Sequence, residues 1–86
     1  MGVPLSEVRR AVGDVQGVAG VHDLHIWSTS NDEISFTAHV TLKRGEDPAA
    51  VRREIEKVLK ERFGIHRTTI QVESEAETHE GAIFHR

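Results

Sequence analysis

The chain has 86 residues, a formal net charge of -3 and no cysteine, which excludes a disulfide scaffold and thiolate metal sites and leaves imidazole and carboxylate as the strong ligands. With 37% hydrophobic and 29% charged residues it reads as one globular domain, and a chain this short buries only about 60% of its unfolded surface, so a partner chain or a metal would add to a thin core. The acidic balance argues against nucleic acid as a partner, no run of 18 apolar residues spans a bilayer, and no secretory signal opens the chain.

Met1-Gly2 reads as the start of a domain cut from something longer. Leu5, Val8, Val12 and Val15 recur at helical spacing and predict one apolar stripe, with Ser6 as cap, Glu7 at the positive end of the dipole, and Gly17 as the stop. From Gly20 to Ser28 apolar and polar residues alternate, which predicts a half-buried strand. Plain alternation puts His22, Leu24 and Ile26 on the core side, and Asp23, His25 and Trp27 on the other. Across the polar turn Thr29-Ser30-Asn31-Asp32 a second strand runs from Ile34 to Leu42. Burial of Ile34, Phe36, Ala38, Val40 and Leu42 turns Ser35, Thr37, His39 and Thr41 outward. If the two strands pair antiparallel, His25 and His39 share the face that the core does not use, in a chain with six histidines.

Asp47 caps the clearest helix, Pro48 opens it, Val51, Ile55, Val58, Leu59 and Phe63 form its buried stripe, and Gly64 ends it. Its charges, including the Glu56 and Lys60 pair, read as a solvated face. A third strand from Arg67 to Glu73 sets Thr68, Ile70 and Val72 against Thr69, Gln71 and Glu73. Glu73 thereby joins the polar face. The expected division is a domain over 1–73 and an acidic tail over 74–86 that carries His79 and His85.

Helix, strand, strand, helix, strand is the order of a ferredoxin-like fold without its first strand. The expected class is α+β, a two-layer, metallochaperone-like sandwich of order αββαβ, with two helices on one face of a three-stranded sheet containing an antiparallel pair. Its bare face would show Trp27, His25, His39, Thr37, Gln71 and Glu73. An exposed Trp there predicts a packing partner, and a second copy of the chain is the simplest one.

Gly20-Val21-His22-Asp23-Leu24-His25-Ile26-Trp27-Ser28, Ser35-Phe36-Thr37-Ala38-His39-Val40 and the run from Arg62 to Glu73 together resemble the cytoplasmic C-terminal domain of cation diffusion facilitators. The resemblance covers nearly all of residues 5–73. It implies membrane exporters of zinc and related divalent cations, driven by proton antiport, whose soluble domains form a metal-binding, V-shaped homodimer joined to a transmembrane domain. It implies a cytoplasmic placement at the inner (plasma) membrane, and it maps the family's metal positions onto His22, His39 and Glu73. Where some members have a histidine two residues before that acid, this chain has Gln71, and where some have a bridging histidine on the second helix it has Arg52. Asp23, His25, His79 and His85 are then the candidate substitutes.

Each candidate also has a plainer role. His22 would hydrogen-bond to backbone on the core side, His25 and His39 would be solvated imidazoles, Asp23 would orient a neighbouring ring, Glu73 would be a surface charge, and Trp27 belongs to an interface. His66 is expected at the negative end of the second helix. A hydrolytic metal enzyme is disfavoured because a flat sheet face offers no substrate cleft and nothing resembles a nucleophile. A free-standing dimeric domain that binds a metal or a small effector is the alternative to a transporter domain. Few, mixed imidazole and carboxylate ligands favour Zn2+.

Overall fold

Helix α2, Pro48–Phe63, follows its sequence signals closely. The Asp47 carboxylate accepts a hydrogen bond from the Ala49 N–H at 3.2 Å, and Pro48 takes a first-turn position where no N–H is needed. At the other end Gly64 adopts φ 69°. The Gly64 N–H donates to Lys60 and the Ile65 N–H to Leu59, which uses two carbonyls the helix would leave unpaired. Ile65, buried immediately after this turn, anchors it.

These elements come from a computed structural model that describes residues 4–29 and 31–74. Helix α1 is Leu5–Gly13 and departs from its expected bounds. Pro4, with its extended backbone, is the N-cap, and its carbonyl accepts from the Glu7 and Val8 N–H groups, so Ser6 lies inside the first turn and caps nothing. The helix ends at Gly13, before Gly17. Gly17 instead turns the chain into the sheet with φ 97°, and its carbonyl accepts the Lys43 N–H at 2.8 Å. Val8, Ala11 and Val12 are the helix's buried residues, whereas Leu5 is 49% exposed and does not extend the stripe.

The sheet comprises β1, Val18–Ser28, β2, Ile34–Leu42, and β3, Arg67–Ser74, in the order β1-β2-β3. β1 and β2 form an antiparallel hairpin; β2 and β3 are parallel, joined through α2, as a parallel pair requires a crossover. The helices lie together, α1 against β1 and α2 against β3. Between the layers sit Phe36, Leu42, Val40, Val8, Val12, Ile55, Leu59 and Ile65, all but fully buried. The result is an α+β, ferredoxin-like sandwich with one sheet face uncovered.

The register of β1 corrects one expectation. His22 pairs with His39, but His25 pairs with Thr37, so Asp23 and Leu24 together oppose Ala38. This is a β-bulge, and its first residue, Asp23, has φ 53°. The surplus residue shifts the phase of alternation. Leu24 stays buried, but His22, expected beside it on the core side, stands exposed on the open face with His39. A second irregularity, between Val18 and Gly20, adjusts the start of the strand in the same way.

A candidate metal centre on the open sheet face

Cross-strand neighbours share a face of the sheet, so the two registers lay the open surface out in rows. Trp27, Ser35 and Arg67 form one row; His25, Thr37 and Thr69 the next; His22, His39 and Gln71 the third; Gly20, Thr41 and Glu73 the last. The third row brings two imidazoles and an amide side by side, and Glu73 follows Gln71 one step along β3. His25 stands diagonally across from His39.

Glycine at position 20 gives His22 its seat. A Cβ built on Gly20 would lie 3.3 Å from His22 Nε2, so the ring leans back along β1 over the bare Cα of Gly20. Sequence reasoning missed that role for Gly20; a glycine two residues before a strand histidine, hence on the same face, is the signal that could have found it. The bulge, meanwhile, opens the surface. A depression of about 210 Å3 lies there, lined by Asp23, His25, Thr37, His39, Thr69 and Gln71. Asp23 and His25 thus reach the same concavity as His39, while His22 does not line it and stands beside His39 in its row.

The donors on this face are imidazole nitrogens and carboxylate oxygens, a set suited to zinc and neighbouring transition metals. Among the described residues no group of three or more His, Asp or Glu side chains is placed to hold a metal ion. Glu73 is half-buried at the end of β3. His79 and His85 lie outside the described residues.

Other candidates fall elsewhere. His66 lines a separate depression with Asp32, Glu33, Gly64 and Arg67, near the end of α2 and apart from the histidine row. Arg67 pairs with Glu33, Nε to Oε1 at 2.6 Å. Trp27, 47% exposed, projects at the end of the open face where Ser35, flanked by Trp27 and Arg67, is nonetheless buried.

The chain matches, over residues 2–75, the model of a dimer domain family described as "Cation efflux protein, cytoplasmic domain". It is 39% identical over 79 residues to a proton-coupled zinc antiporter of Homo sapiens, covering 92% of this chain and 21% of that protein. It is 33% identical over 88 residues to the cadmium, cobalt and zinc/H(+)-K(+) antiporter of Bacillus subtilis, covering 95% of this chain and 27% of that protein. The chain thus spans about a fifth to a quarter of these relatives, which are transporters. Among solved structures, the metal-bound C-terminal domain of the CzcD transporter from Cuprividus metallidurans superposes with a TM-score of 0.80 at 36% identity, covering 83% of this chain and 99% of that one. The copper form of the MamM C-terminal domain has the same fold, with a TM-score of 0.71 at 13% identity, covering 83% of this chain and 81% of that one. On these grounds the chain belongs to the cation efflux protein family, as its cytoplasmic domain, the C-terminal domain of cation diffusion facilitators.

Proposed function

We propose that this domain binds zinc on its open sheet face, as a homodimer, and reports cytoplasmic metal to the membrane-embedded part of a divalent cation exporter. The observation that carries this reading is the His22, His39 and Gln71 row beside a depression lined by Asp23 and His25. His39 belongs to both and is the central ligand; His22, His25, Asp23 and Glu73 are its partners. The lack of a three-ligand group among the described residues of a single copy supports a site finished by a second one, and exposed Trp27 supplies an apolar contact for that copy.

A bound divalent cation would supply positive charge and nothing else to the chemistry of this face. Each copy brings Asp23 and Glu73 to the shared cleft, and these carboxylates repel their counterparts. That repulsion is relieved when imidazoles and carboxylates of both copies share a cation. By linkage, the closed arrangement binds metal more tightly than the open one, and closure can bias an attached transporter towards export. A tenfold preference for the closed form requires only about 1.4 kcal/mol. The domain then acts as a sensor and lies off the path of the ion.

Calorimetric zinc titration tests the assignment. His39→Ala should weaken binding by about tenfold or more, as expected for loss of a metal ligand, whereas His66→Ala should leave it unchanged. Equal affinity in the wild type and His39→Ala would remove His39 from the site.

A further inference from the structure

Between His22 and His25, β1 holds one residue more than a regular ladder with β2 can take. Two outcomes are open to such a strand. It can keep plain alternation, which carries His22 to the helix side with Leu24, or it can expel the surplus residue in a bulge. Asp23 takes the second course with φ 53°, a left-handed conformation that short polar residues tolerate and β-branched residues resist. Val21 and Leu24 consequently both pack towards the core, and His22 is exposed. The His22 ring confirms the phase independently, since its Nε2 lies over Gly20, a residue of the open face. The depression on that face is lined by the bulge residue itself.

We infer that Asp23 is a positioning residue whose left-handed backbone holds His22 in the row with His39 and Gln71, separately from anything its carboxylate binds. The functional meaning of this inference rests on reading the face as a metal site; the geometry does not.

The chain has no cysteine, so His22→Cys with His39→Cys introduces a single pair of thiols. Directly opposed antiparallel residues lie about 4.5–5.5 Å apart at Cα, within disulfide range. In the full chain, under mild oxidation and without metal, this pair should close. Closure should persist with Asp23→Gly, which keeps the positive φ. It should also persist when Asp23 is deleted, because removing the surplus residue restores plain alternation with position 22 still on the open face. With Asp23→Val it should slow by about tenfold, the scale of a strained left-handed residue. Undiminished closure with Asp23→Val overturns the inference, and so does loss of closure on deletion. Should Asp23→Val fail to fold, Asp23→Ala decides: it should close more slowly than Asp23→Gly, and equal rates overturn the positioning role.

With both imidazoles restored, the loss of zinc affinity on Asp23→Val, taken relative to Asp23→Gly so that the carboxylate is absent from both, should not add to that on His22→Ala; additive losses also overturn it. The thiol experiment contains no metal. A face that binds no zinc would therefore sink the proposed function while leaving the cross-linking result to stand or fall alone.

Discussion

His22 and His39 stand directly opposite one another on the uncovered face of the sheet, although alternation along β1 assigns His22 to the side of the helices. The pairing brings together two imidazoles from separate sequence motifs. It also sets what a mutation or a change of pH should do.

Imidazole binds metal only when deprotonated, so protons compete with zinc for this face. Affinity should fall as the solution is acidified, and binding should release protons into the buffer. Calorimetry in two buffers of different ionisation enthalpy reads both effects. A pH-independent affinity would mean that carboxylates alone hold the ion.

Trp27 is the chain's one tryptophan and is half-exposed, so its loss should cost the folded monomer little. Truncating a central aromatic anchor of an interface typically costs about 2 kcal/mol or more. Trp27→Ala should therefore shift sedimentation at micromolar concentration from dimer towards monomer, and lower the thermal midpoint only by the stabilisation that dimerisation supplies. A dimer as tight as the wild type would place the interface elsewhere.

Closure can be followed from the far side of the molecule. Arg53 is exposed on α2, and with no native cysteine a spin label at Arg53→Cys is unique. The label-to-label distance between two copies should change across a zinc titration and saturate with binding. A distribution that stays fixed to saturation leaves a site that stores or stabilises but does not signal.

Ile55 is completely buried beneath the sheet. Ile55→Ala should destabilise the fold by about 2–5 kcal/mol, a large share of what so small a domain has, and denaturant melts should record it. A loss below 1 kcal/mol, on the scale of an exposed site, would show that the layers repack around the gap.

How much of this was legible in the sequence depended on whether the controlling interaction was local. α2 was, because Asp47, Pro48 and Gly64 each act on the backbone beside them. β2 was equally plain, since its five alternating apolar residues admit one register against the core. α1 was harder: Pro4 supplies the cap without a side-chain hydrogen bond, and among the described residues Leu5 is left half-exposed. The face of His22 depended on pairing with a strand that comes later in the chain. A local trace exists all the same, in two consecutive polar residues, His22 and Asp23, set between apolar Val21 and Leu24. A regular half-buried strand has no place for that doublet. The open-face positions of His39, Gln71 and Glu73 followed from alternation because no irregularity intervenes within β2 or β3, and that of His25 because both irregularities of β1 lie before it.

β1 lies at the margin of the sheet, and at 11 residues it is long enough to recruit a foreign strand. An uninterrupted margin of that length is a template for amyloid-like growth. Here the two irregularities break the row of free donors and acceptors, and Arg9 Nη1 on α1 donates to the Val21 carbonyl at 3.3 Å. Copies crowded together are thus steered away from zippering along β1.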